Sequence, residues 1–426
     1  MEFVSDLNEK EYNDFLMKSA DSVHFLQSVE WANVKRMDKK IETHLVGVKE
    51  DNKLIAVASL IGRRLPLGYS YWTIPRGFLM DYNNRELLSF FTKSVVDYTK
   101  KFKFIYLKID PDIELHKIDH QNNVLDGPNN YDLVKDMEKL GYKHLGYNKF
   151  FEHSYPRYTF RIDLTSDVPT IVERFHQSAK QRIKKAEVFG VKVKIGDYND
   201  VNKFYELMEK TEKKKDFYSH NLKFYQEFYK IFNKNKHVTL YIATINIDES
   251  LKNINNEIDK LTKELESGDK LTKNQKQTLN SQIEGFKKSS KEFMEVQKEM
   301  GNEILLSAYM IVNYGVKCWT LYSCNEPKVK GAFGNYLIYN TQVIDAHNKG
   351  FKIFDAFGTI GDLNADNHLT GLHEFKKKFG GEYIEFIGEF DYVQRKLMYF
   401  LWTKLVPYYH KLVNKSLKKS VKKNVQ

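Results

Sequence analysis

Several stretches of this 426-residue chain place charged side chains where they could act on a substrate. Asp110 ends the apolar run Phe104-Ile-Tyr-Leu-Lys-Ile-Asp110, immediately before Pro111. A carboxylate at such a strand end can orient an attacking group or take its proton, and it can equally cap a turn. Lys213-Lys-Lys-Asp-Phe-Tyr-Ser-His220 interleaves ammonium groups with aromatic rings, a mixture that suits an anionic, partly planar ligand. Lys180, Arg182, Lys184 and Lys185 crowd two turns of a helical segment. Charge of one sign suits a phosphate backbone; a solvated face is the alternative. Trp31 and Lys35 stand four apart, on one face of a short helix. Lys330-Gly-Ala-Phe-Gly334 puts two glycines before a helix, where free N–H groups and the helix dipole can hold a phosphate. Cys318 and Cys324 make no zinc site. The sequence shows no Ser-His-Asp set, no metal cluster and no cysteine with a nearby histidine.

Composition narrows the classes. Hydrophobic residues make up 42% of the chain, enough for real cores, and 27 Tyr and 29 Phe make those cores aromatic. Only 8 Pro and 22 Gly argue against long disordered linkers. The net charge of +11 points to polyanions such as RNA, phosphates or acidic lipid headgroups, although it is spread over 67 basic residues. Residues 1–10 lack the apolar core of a signal peptide, and no run approaches the ~20 apolar residues of a membrane span. These features predict a cytosolic protein with reduced cysteines and at most peripheral membrane contact.

The positioning elements follow from pattern. Residues 44–49, 54–61, 70–78 and 104–110 read as strands, with a helix over 85–102. Residues 115–130 are polar and read as an exposed loop, followed by a helix over 131–140. A strand over 157–163 opens the second half, and 171–189 reads as one basic helix. Strands over 238–245, 304–312 and 317–322 precede the glycine loop, a helix over 336–347 and a strand over 352–358. Between 238–245 and 304–312 lies a long insertion. Its apolar residues recur three and four apart on both sides of Ser267-Gly-Asp269, predicting an antiparallel coiled-coil hairpin. A C-terminal helix from Arg395 ends in a lysine-rich stretch over 411–423, suited to an anionic membrane or to RNA.

The order from 304 to 358 resembles the core of the N-acetyltransferase-like (GNAT) fold. Along essentially its whole length the chain also resembles the FemABX family of peptidoglycan-bridge aminoacyltransferases. The residues that carry this are Gln27-Ser-Val-Glu-Trp-Ala-Asn-Val-Lys35, Ile74-Pro-Arg-Gly-Phe-Leu-Met-Asp-Tyr82, Leu107-Lys-Ile-Asp-Pro-Asp112, Leu321-Tyr-Ser323 and Glu374-Phe-Lys-Lys-Lys-Phe-Gly-Gly381. The insertion is similar to that of members with a helical arm. The resemblance implies an α/β (α+β) fold: two GNAT-like domains facing a cleft, with the coiled coil inserted in the second. The domains would be 1–152, completed by 390–426, and 153–247 with 302–389; the arm would be 248–301. It implies transfer of an amino acid from aminoacyl-tRNA to the stem-peptide amino group of lipid II or UDP-MurNAc-pentapeptide, serving cell-wall synthesis and cell shape.

Carried over by position, Lys35 contacts precursor phosphate beside Trp31. Lys214, in Lys214-Lys-Asp216, stands where the family often has an Arg-Asp pair, so contact survives as a point charge without a bidentate fork. Tyr218 and Tyr322 match cleft tyrosines, and Phe375-Lys376 a Phe-Lys pair near the reacting ester. Lys180, Arg182, Lys184, Lys377 and Lys378 form the expected tRNA footprint. No cofactor is implied; aminoacyl-tRNA is the co-substrate. The location implied is cytoplasmic, with peripheral contact at the inner membrane face.

An aminoacyl ester is already activated, so no covalent enzyme intermediate is needed. An ammonium near the developing oxyanion stabilises charge that exists only in the transition state, the role given to Lys376. Asp110 could orient the acceptor amine or take its proton. Two other readings compete: a CoA-dependent N-acyltransferase on the same fold, and a non-catalytic RNA-binding or scaffold protein.

Overall fold

The computed structural model describes residues 1–151, 155–215, 219–267, 271–363 and 369–406. The chain divides into two compact units: Met1–Ile118 with Asn123–Arg157 and Glu385–Gln426, and Asp119–Asn122 with Tyr158–Ile384.

In the first unit the sheet runs in the order Glu2–Val4, Ile41–Glu50, Lys53–Arg64, Ser70–Pro75, Phe104–Asp110, Phe390–Val393, Tyr142–His144. Ile41–Glu50 and Lys53–Arg64 form a hairpin closed by Asp51 and Asn52, both at positive φ, the geometry that matches strand twist. Ser70–Pro75 and Phe104–Asp110 are parallel, so the chain must cross over between them. It does so through the helix Arg85–Lys100, whose Leu87, Leu88, Phe91, Val95 and Val96 bury one face. Trp72, Phe91, Phe104 and Leu107 centre the core. Gly62 is required there: a Cβ at that position would sit 2.6 Å from the Trp72 ring.

The second unit repeats the logic with different residues. The strands of this unit lie side by side in the order Lys192–Gly196, Val238–Asn246, Glu303–Tyr314, Lys317–Asn325, Ile353–Asp355, Tyr158–Asp163, Glu382–Phe386. Lys317–Asn325 and Ile353–Asp355 are parallel, joined through the helix Gly334–Asn348. Each unit therefore has the mixed sheet and helical crossover expected of a GNAT-like α/β domain.

Two expectations are corrected. The polar stretch 115–130 is not a loop: Glu114–Ile118 and Val124–Asn129 pair antiparallel, with Leu115 and Ile118 buried on the first strand. The segment 171–189 is two helices, Val168–Glu173 and Gln177–Val188. The break falls at His176, whose N–H donates to the Lys378 carbonyl and whose Nδ1 accepts from Ser178 N.

The insertion consists of the helices Ile247–Glu266 and Lys273–Met300, which pack against each other. They join strands that are themselves paired, Asn246 opposite Glu303. The base is not a free projection. Phe189 packs edge-on to Phe286 and Phe293, and Ser250 Oγ donates to the Phe189 carbonyl at 2.5 Å. No helix among the described residues is long and apolar enough to cross a membrane.

Candidate active site

Gln27 positions the first constellation. It is fully buried; its Nε2 donates to the Pro75 carbonyl at 2.6 Å, and its Oε1 accepts from Ser59 N at 2.8 Å. The short helix Val29–Lys35 is thereby pinned to two strands, with Ser28 as its N-cap. Trp31 turns inward, and the Lys35 ammonium lies 4.5 Å from the centre of its ring. Half-buried, Lys35 has its pKa pulled down by burial and by the charge of Arg63. An anion there would relieve both effects.

Asp110 ends its strand opposite Pro75 and is 4% exposed. Its Oδ1 accepts from Arg76 N at 3.1 Å, and its Oδ2 lies 3.6 Å from Arg76 Nε. Arg76 is held in turn by the Pro156 carbonyl at 2.7 Å and by the Phe386 ring. Burial pushes the Asp110 carboxyl up to about 7; Arg76 opposes the shift and Glu389 adds to it. Glu389 accepts from Lys108 Nζ at 2.8 Å and from Tyr155 N at 3.2 Å. Burial next to Asp110 raises the Tyr155 hydroxyl as well. A buried carboxyl poised near neutrality is suited to exchanging a proton.

In the second unit Lys376 lies on the helix Thr370–Lys377, whose buried face carries His373 and Lys376. At 7% exposure its ammonium donates to the carbonyls of Phe357 at 3.1 Å and Gly358 at 2.5 Å. That turn is itself fixed. Asp355, ending the parallel strand, accepts from Phe357 N at 2.8 Å, Thr159 Oγ1 at 2.6 Å and Arg161 Nε at 2.9 Å. His373 sits against Thr359 Oγ1 at 3.0 Å, and burial lowers its pKa to about 4. Asp355 thus sets the turn, and the turn sets the ammonium.

The sequence model of the FemAB family matches residues 7–406. The chain belongs to the FemAB family. Among relatives, Aminoacyltransferase FemA of Staphylococcus epidermidis is 28% identical over 419 residues, covering 94% of this chain and 98% of that protein. Aminoacyltransferase FemA of Staphylococcus aureus (strain NCTC 8325 / PS 47) is 29% identical over 415 residues, covering 94% and 97%. The crystal structure of FemX shares the fold, with a TM-score of 0.74 at 24% identity over 94% of this chain and 99% of that one.

The residues that the FemAB resemblance singles out fall into distinct settings. Trp31, Lys35 and Asp110 belong to the first unit; Lys214, Tyr322, Phe375 and Lys376 belong to the second. Lys214 is exposed and donates to the Pro327 carbonyl at 3.3 Å. Its helix, Asp200–Lys215, carries Lys213, Lys214 and Lys215 in its last turn, and Val201, Phe204, Leu207 and Met208 bury one face of it. Tyr218 lies outside the described residues. Tyr322 is half-buried among rings, edge-on to Tyr225 at 5.2 Å and to Phe228 at 5.4 Å. Phe375 packs on Tyr336 at 5.0 Å and Tyr339 at 5.4 Å.

The tRNA candidates partly converge. Lys180 Nζ donates to the Glu173 carbonyl at 2.8 Å and Lys377 Nζ to His120 O at 3.3 Å, while Lys184 is exposed. The contact of His176 with the Lys378 carbonyl joins the two basic segments. Arg182 differs: it lies over the Tyr336 ring at 4.9 Å and donates to its hydroxyl, which makes it a packing residue between helices. Sequence reasoning missed Arg76, Glu389 and Asp355. Arg76 stood inside a quoted motif, and Asp355, like Asp110, ends a strand that follows a crossover helix. Both cysteines are buried and unbridged, and burial raises their thiols, which disqualifies them as nucleophiles.

Proposed function

We propose that this chain, an aminoacyltransferase of the FemAB family, transfers an amino acid from aminoacyl-tRNA to the stem-peptide amine of a peptidoglycan precursor. The observation that carries the reading is the likeness to FemA aminoacyltransferases along 94% of the chain. The acceptor nitrogen attacks the ester carbonyl carbon and a tetrahedral oxyanion forms. The C–O bond to the ribose then breaks. One proton leaves the amine and one reaches the departing ribose oxygen. Lys376 is the donor proposed for the oxyanion. Asp110, with its carboxyl raised to about 7, is proposed to receive the amine proton. Lys35 and Lys214 are proposed to bind precursor phosphates, on lipid II or a UDP-linked muropeptide.

A specific feature argues against acyl-CoA as donor. In the loop before Gly334–Asn348, Ala332 N and Phe333 N already donate to Val329 O and Lys330 O. From the inserted helix, the Glu292 carboxylate covers Gly331, 2.8 Å from where a Cβ would be. A diphosphate laid on this loop would meet spent N–H groups and a negative charge.

The test offers purified protein labelled aminoacyl-tRNA, acetyl-CoA, and each precursor form. Transfer of the amino acid to a precursor is the expected result. Acetylation of an amine from acetyl-CoA would replace the reading with the CoA one. RNA binding without transfer to any precursor would favour the scaffold.

A further inference from the structure

We propose that the first unit carries a docking face for an anionic lipid surface, built from the Pro66–Gly68 turn and the helix that begins at Lys396. The proposal does not depend on which substrate the enzyme uses. Leu67, at the tip of the turn, is 86% exposed and held at a positive φ of 62°. Tyr69, two residues on, lies under the Arg395 guanidinium at 5.6 Å, so the turn adjoins the start of the helix. The helix Lys396–Phe400 continues as a wider turn through Leu401–Leu405.

The two sides of this segment differ. On the inner side Tyr399 packs edge-on to Tyr106 at 5.3 Å, and its hydroxyl donates to Asp391 Oδ2 at 2.7 Å. Trp402 packs on Tyr71 at 6.4 Å. The outer side leaves Leu397 at 71%, Phe400 at 53% and Leu405 at 46% exposure, with Lys396 and Lys404 exposed among them. A docked helix with a second face of Leu, Phe and Lys has the make-up of an interfacial helix: rings and aliphatic chains enter the acyl boundary while ammonium groups reach the headgroups.

Charge selects the occupant. Among the described residues after Asp391 the cations are Arg395, Lys396 and Lys404, and no carboxylate side chain occurs. Nothing in that stretch repels an anionic headgroup, and each cation near such a surface adds attraction that salt screens. An RNA backbone could use the cations, but it would leave Leu67, Leu397 and Leu405 in water, because aliphatic side chains have no aromatic face to stack on bases. A lipid surface satisfies both sets.

The test uses the full chain with sedimented vesicles of phosphatidylglycerol and phosphatidylcholine in equal parts, against phosphatidylcholine alone. The expected result is binding to the anionic vesicles that weakens with salt, at least about tenfold stronger than to the neutral ones. Leu67→Glu, Leu397→Glu and Phe400→Glu together should cut binding about tenfold or more with melting temperature unchanged, since these side chains are exposed. Lys396→Gln with Lys404→Gln should lower both the affinity and its salt dependence. Equal binding to both vesicle types, or undiminished binding by the triple variant, overturns the proposal. Two further outcomes also overturn it. One is that an RNA oligomer binds the wild type tightly while neither vesicle does. The other is that wild type self-associates in sedimentation velocity, the triple variant does not, and neither sediments with vesicles.

Discussion

Lys376 does two things that its sequence context hides: it is buried, and it holds two consecutive carbonyls of one turn. Asp355 fixes that turn from the other side through Phe357 N. If the ammonium stabilises the oxyanion, Lys376→Ala should slow single-turnover transfer about a hundred- to thousandfold at saturating substrates, or about 2–4 kcal/mol. Asp355→Asn keeps the shape and turns an amide N–H or a weaker acceptor toward Arg161. It should lower the same rate about tenfold with KM nearly unchanged, and the double variant should be no slower than Lys376→Ala alone. Additive losses would mean that Asp355 acts elsewhere. Asp110 gives a different signature. Its carboxyl rises from an unfolded value of about 3.9 to about 7, so the folded protein holds a proton that the unfolded chain has lost. Stability from this group is full below about pH 4 and is lost as pH rises toward about 7. Activity should run the other way, rising through about 7 as the carboxylate forms. In Asp110→Asn both slopes should vanish from melting and rate profiles; an unchanged rate profile would exclude Asp110 as the proton acceptor. His373, lowered to about 4, contributes the opposite stability slope below about pH 6.5, and it cancels in the comparison with the variant.

At the scale of elements, the inserted helices show how a surface projection can also be part of a core. Phe189 is fully buried beneath Phe286 and Phe293 at their base. Replacing residues 259–280 by a short turn removes the distal part and leaves this contact. Such a variant should melt within about 3 °C of the full chain. Removing 248–301 altogether uncovers Phe189 and should destabilise as a large-to-small core change does, by about 3–5 kcal/mol. Differential scanning calorimetry separates the two; equal losses for both would show that the distal seam also carries the fold.

The whole molecule is basic, with a net charge of +11, but its cations are not equivalent. Lys184 is exposed, Lys377 is tethered to a carbonyl, and Arg182 is stacked on Tyr336. Titration of tRNA against salt should show that Lys184→Ala and Lys377→Ala each reduce the log–log slope by about one. Arg182→Ala should instead lower the melting temperature, because it removes a ring contact and a hydrogen bond between helices. A full-size slope in both lysine variants would remove this face from the tRNA footprint.

What was legible in the sequence was whatever is local and periodic. Strand alternation and the periodicity of the helices over 85–102 and 336–347 are set by neighbours within a few residues. The ordered motifs were enough to reach the family. The helix bearing Lys376 was not legible, because its buried face is His373 and Lys376 and no apolar stripe marks it. Nor was the 114–129 hairpin, since polar residues dominate it and its pairing depends on partners across the strand. The settings of the charges were decided by tertiary structure alone. Asp110 is raised because burial outweighs Arg76, brought to it from 34 positions earlier. Lys376 is held by a turn 18 and 19 residues away, and Arg182 by a ring 154 residues away. Desolvation and long-range partners set the state of an ionisable group, and a residue's own neighbours in the chain carry neither.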